Sequence, residues 1–211
     1  MKLTKVLFPA AAALFLFLIF STPVYAHCDG VDGPVVTAAK KALETGNINY
    51  VLHWVKKADE NMIKDAFNKT LKVRALSDDA RELADNYFFE TLVRIHRAGE
   101  GEPYTGLKPA GRDLGPVIPA ADMAIEQGAF KPLKEVLVQK KINTSGLEKN
   151  FNDVVSKKNF DINNVDAGRE YVESYVTFLH KAENMYEKKD QHGKKEIHEN
   201  KNVHGNEDHA E

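Results

Sequence analysis

One cysteine, Cys28, and one tryptophan, Trp54, are all that the 211-residue chain has of either. A lone cysteine excludes an intrachain disulfide framework. Neither charge sign is in real excess: 29 Lys and Arg stand against 31 Asp and Glu, a formal net charge of -2. A nucleic-acid-binding domain would carry a basic surplus, so that class is set aside. With 13 glycines and 8 prolines the chain is too poor in both for a fibre or a linker. Period-two alternation and internal repeats are also missing. So are the usual catalytic signatures: no glycine-rich dinucleotide or phosphate loop, no His-Glu-x-x-His, no serine-hydrolase elbow. The positions three before the helical histidines are Tyr50, Val93 and Thr177. A carboxylate-bridged di-iron bundle needs glutamate there.

What is present begins with a targeting pattern. Lys2 and Lys5 precede an apolar run over residues 6–20, and Ser21-Thr22-Pro23-Val24-Tyr25-Ala26 follows. A charged start, an apolar stretch and small residues before a cleavage point describe a secretory signal peptide over residues 1–26. The run is short for a membrane span, and Pro23 follows it directly. The expected setting is periplasmic or secreted, without stable membrane insertion after processing.

The rest predicts an all-α, single-domain helical bundle over residues 27–188, with one long Gly/Pro-rich loop. Pro34 suits the first turn of a helix, and Gly46 suits its end. An apolar period from Val51 to Leu76 suggests helix, with a break near Asp59. Ser77 followed by Asp78 and Asp79 is an N-terminal signal, because a hydroxyl and two acids suit the unpaired N–H groups there. Residues 99–119 carry Pro103, Pro109, Pro116 and Pro119 among five glycines, so they form a loop that Tyr104, Leu107 and Leu114 can pin down. Shorter helices follow, one of them capped by Ser145. A long one runs from Val165 to about Lys188, starting at Asn163 or Asn164. Residues 189–211 are polar and contain His192, His198, His204 and His209; they read as a disordered tail.

The candidate chemistry starts at the processed terminus. Cleavage after Ala26 would leave His27-Cys28-Asp29-Gly30. Its α-amine, the Cys28 amide, the imidazole and the thiolate are a nitrogen and sulfur set that suits copper or nickel better than zinc. His27, Cys28 and Asp29 resemble the nickel hook of nickel superoxide dismutase, a helical-bundle enzyme. The second cysteine of that hook has no counterpart here. A longer string, Tyr87-Phe88-Phe89-Glu90-Thr91-Leu92-Val93-Arg94-Ile95-His96-Arg97-Ala98-Gly99-Glu100-Gly101, continues to Tyr104-Thr105-Gly106-Leu107-Lys108-Pro109. It resembles an uncharacterised family of exported bacterial helical proteins, from which no function carries over.

His53, His96 and His180 lie on predicted helices and could add metal ligands or relay protons. His53 and Glu60, like Glu173 and His180, are two turns apart on one face. Glu90, Arg94 and Tyr104 are candidates for holding a cofactor or small ligand, Glu90 as a carboxylate that orients a histidine. The expected function is therefore an exported helical metalloprotein with copper or nickel at His27 and Cys28. The alternative is a non-catalytic module that binds a small ligand or a partner.

Overall fold

The computed structural model describes residues 27–203, and side chains through residue 189. The expected signal peptide, residues 1–26, lies outside the described residues, as do His204 and His209. Among the described residues the architecture is all-α, with a single isolated parallel bridge between Gly30 and Lys108.

Helix α1 (Pro34–Thr45) starts with proline in its first turn and ends on Gly46 at φ 69°. Its buried stripe is Val35, Val36, Ala39, Ala42 and Leu43. The apolar period from Val51 is broken, as expected near Asp59, and the break starts already after Leu52. The segment forms a short α2 (Asn49–Leu52), a buried turn at residues 53–55, a 3-10 turn (Lys57–Asp59) and α3 (Glu60–Val73). The reason lies far along the chain. The Arg169 guanidinium donates to the Leu52 and Val55 carbonyls at 3.2 and 3.0 Å, which satisfies the backbone where α2 stops.

Helix α4 (Asp78–Glu100) begins as its sequence dictates, with Ser77 Oγ accepting from the Ala80 amide at 3.1 Å. The glycine- and proline-rich segment then runs to α5 (Val117–Gln127), followed by α6 (Lys131–Gln139) and α7 (Ser145–Lys157). Ser145 does not cap α7; it is the first helical residue, and Asn143 Oδ1 accepts its amide at 3.0 Å. Helix α8 (Val165–Val203) starts with Asn164 Oδ1 accepting from Ala167 N. Its backbone is helical through Val203.

The core joins the inner faces of all these helices, with Phe88, Phe178, Ile63, Leu92, Leu133 and Leu147 fully buried. Against this framework the N-terminal turn, the end of α4 and the middle of α8 meet around Trp54.

Candidate functional site

The site is built on the buried turn at residues 53–55. His53 Nδ1–H donates to the Asn49 carbonyl at 3.0 Å, and His96 Nδ1–H donates to the Trp54 carbonyl at 2.8 Å. A carbonyl can only accept, so the proton sits on Nδ1 and each ring turns Nε2 the other way. Burial holds both imidazoles down at about 4, against the pull of those carbonyls. Both histidines are therefore neutral near pH 7.

Aromatic rings close a circuit on this turn. Trp54 meets His53 and Tyr175 at centroid distances of 5.7 and 6.2 Å. Tyr175 stacks on Tyr171, Tyr171 meets Phe160, and Phe160 stands edge-on to His53 at 5.2 Å. His96 stands edge-on to Trp54 at 5.6 Å. Gly168 lets α8 come this close: a Cβ there would lie 2.7 Å from His53 Cβ and 2.8 Å from Phe160 Cε2.

The N-terminal turn closes the other side. The Gly33 amide donates to Gly30 O, and a Cβ on Gly33 would fall 2.3 Å from His27 O, so only glycine allows the turn. Lys108 N donates to Asp29 O at 2.8 Å, and Val31 N donates to Lys108 O at 3.0 Å, which lashes the long loop to the turn at residues 27–33. Arg97, 3% exposed, gathers the charges beneath. Its guanidinium nitrogens lie 3.4 Å from Asp29 Oδ1, 3.3 Å from Glu100 Oε2 and 3.9 Å from Glu102 Oε2. Burial raises the carboxyls of Asp29 and Glu100, and Arg97 pulls them back. Glu100 Oε1 stands 3.4 Å from His96 Nε2.

Two cavities flank Trp54. The first, of about 480 Å³, is bordered by His27, Asp32, Asp122, Glu126, Tyr171 and Tyr175. Tyr175 donates to Asp122 Oδ1 at 2.9 Å, while His27 Nε2 lies 3.1 Å from Asp122 Oδ2 and 3.2 Å from the Tyr175 hydroxyl. Lys158 also borders this cavity, but its ammonium is spent on the Ile125 and Glu126 carbonyls. The second cavity, of about 370 Å³, lies between the ends of α2 and α4 and the face of α8; His53, His96, Glu100, Arg169 and Glu173 border it.

The residues singled out by sequence thus divide. His27, His53 and His96 converge on Trp54 but border different cavities. Cys28 packs against the core, and burial together with the Glu100 carboxylate pushes its thiol well above the usual range. The His180 imidazole is lowered by burial and senses the Glu100 carboxylate. Among the described residues no three His, Cys, Asp or Glu side chains gather at metal-binding distance. Glu90, Arg94 and Tyr104 border neither cavity. Arg94 is exposed, and the Tyr104 hydroxyl donates to Glu90, pinning the loop to the outer face of α4. Glu60 pairs with Lys64 and Arg169 rather than with His53. Asp122, Glu100, Arg97 and Arg169 were not anticipated as site residues. The four- and three-residue spacings of His96 and Arg97 from Glu100 were the readable signal for that end of α4.

Residues 32–181 match DUF6448, a family of unknown function, and the chain belongs to that family. The match begins after His27 and Cys28, and it includes both histidines at Trp54. No curated protein and no solved structure matches the chain. Among the described residues no helix is long and apolar enough to cross a membrane.

Proposed function

We propose that this is a non-catalytic binding protein for small organic cations, acting after export to the periplasm or the outside of the cell. One observation carries the reading: the carboxylates of Asp32, Asp122 and Glu126 share an open cavity of about 480 Å³ with the rings of Trp54, Tyr171 and Tyr175. Aromatic faces and carboxylates are the combination that attracts an ammonium group, by ring quadrupole and by charge. The Lys158 ammonium keeps its charge while it donates to the Ile125 and Glu126 carbonyls, and the three carboxylates outnumber it. Calorimetric titration of the full chain with tetramethylammonium and with butylamine tests this. Saturable binding of at least one probe is expected, weakened roughly tenfold or more in Asp122→Asn and in Tyr171→Leu. No binding of either probe, or equal binding in both variants, overturns it.

A second reading, a copper or nickel ion at the terminus, is favoured by the approach of His27 to Asp122 and Tyr175. Cleavage after Ala26 would add the α-amine to that imidazole, carboxylate and phenol. The raised Cys28 thiol supports an anchoring role for Cys28 rather than ligation. Elemental analysis of protein processed in its own host separates the two: one bound copper or nickel favours the ion, and a metal-free chain favours the organic cation.

A further inference from the structure

The second cavity has apolar walls and one open acceptor. Val55, Val172, Val176 and the Trp54 indole border it, with His53 among them. His53 is 7% exposed, and its Nδ1–H is committed to the Asn49 carbonyl. Its Nε2 therefore presents a lone pair, and burial keeps the ring neutral. No side chain or amide among the described residues donates to that nitrogen. His53 borders the second cavity and not the first, so the unanswered lone pair belongs to the second. His96 differs. Its Nε2 is sealed from solvent beside Glu100, whose raised carboxyl can meet it with a proton.

We propose that the second cavity binds a small uncharged hydroxyl compound with an apolar body, phenol being the simplest, whose O–H donates to His53 Nε2. Composition is the first reason. Small-molecule sites are mostly apolar, with a few polar groups that fix orientation, and this cavity of about 370 Å³ is of their size. The Trp54 and His53 rings suit a flat body. The donor requirement is the second. A buried acceptor without a donor is costly, so a ligand that brings one is selected over a like-shaped molecule that does not. Preorganisation is the third. The Asn49 carbonyl fixes the His53 tautomer, and Gly168 lets α8 press against the ring, so the lone pair is held in place. Charge is the fourth, because the charges bordering this cavity are largely answered within the protein. Arg169 is held by Glu60 and Asp166, each at 2.6 Å, and by the Leu52 and Val55 carbonyls. Glu100 lies against Arg97. Lys56 and Glu173, both exposed, add one charge of each sign. A charged ligand would lose hydration among the valines and find its counter-charge only at the rim. This site does not depend on the organic-cation reading, which concerns the cavity on the other side of Trp54.

The test is calorimetric titration of the full chain with phenol, anisole and benzoate. Saturable binding of phenol is expected. Anisole, which lacks the O–H, should bind roughly tenfold more weakly or worse, and benzoate should also bind more weakly than phenol. His53→Phe removes the lone pair and keeps a ring, and it should weaken phenol roughly tenfold. Because that variant can disturb the fold, nitrogen NMR of the wild-type chain provides a second readout: saturating phenol should move the His53 Nε2 resonance. Absence of saturable phenol binding overturns the proposal. So does an unmoved His53 Nε2, or anisole binding as tightly as phenol. Benzoate binding more tightly than phenol overturns it too, and assigns the cavity to anions drawn by Lys56.

Discussion

His53 shows how a single residue sets the acid limit of this fold. Burial lowers its imidazole from the ordinary 6.5 to about 4. Between those values the unfolded chain binds the proton and the folded one does not, so stability falls as pH drops through the window. The stabilisation is fully present above pH 6.5 and gone near pH 4, and it amounts to about 3 kcal/mol at most. Urea unfolding at pH 7 and pH 4 should therefore show a smaller pH loss for His53→Gln than for the wild type. Equal losses would mean that His53 is not held neutral. At this scale the sequence was informative about residue type and poor about partners. His53 and His96 stood out as histidines inside helices. That both would turn Nδ1 to a backbone carbonyl on one side of a tryptophan depends on where α2 stops, and no local pattern encodes that. Asp122 was unreadable for the same reason: its partners Tyr175 and His27 come from opposite ends of the described chain.

At the scale of elements, local signals decided the helix ends that they could reach. The Ser77 cap and the Gly46 stop were legible because their hydrogen bonds and backbone angles involve immediate neighbours. A break near Asp59 was legible too, but its start already after Leu52 was not, because Arg169 on α8 supplies the compensation. Gly168, in the first turn of that same helix, has a related long-range reason. Glycine in a helix costs about 1 kcal/mol relative to alanine, so Gly168→Ala would stabilise an isolated α8. In the folded protein the added methyl would strike His53 and Phe160. We expect a net loss of about 1–3 kcal/mol in thermal or urea unfolding. A gain in stability would show that the aromatic circuit gives way at little cost.

At the scale of the whole molecule, Arg97 ties the distant turn at Asp29 to the end of its own helix at Glu100 and to the start of the loop at Glu102. Removing one partner of a buried ion cluster leaves the others uncompensated. Arg97→Met should therefore cost about 3–5 kcal/mol. It should also speed proteolysis within residues 101–116, whereas the exposed Arg94→Met should do neither. Similar proteolysis of the two variants would place the loop's anchorage elsewhere, at the Lys108 backbone bridge or the Tyr104 contact. The all-α class was legible from periodicity, since amphipathic stripes repeat along nearly the whole chain. An ordered loop was legible from its aromatic and leucine residues. Its anchor to the turn at residues 27–33 was not, because the attachment is made by backbone amides whose partners lie far along the chain.

The single tryptophan has a practical consequence. Trp54 borders both cavities and touches the rings of His53, His96 and Tyr175. Its indole is the chain's one strong ultraviolet emitter, and a neighbouring imidazolium or paramagnetic ion quenches such emission. Intrinsic fluorescence thus monitors both sides of this wall without any label. Occupancy of either chamber, protonation of either imidazole and loosening of the N-terminal turn all converge on one optical signal. Variants that silence one chamber at a time would assign each change in that signal to its side.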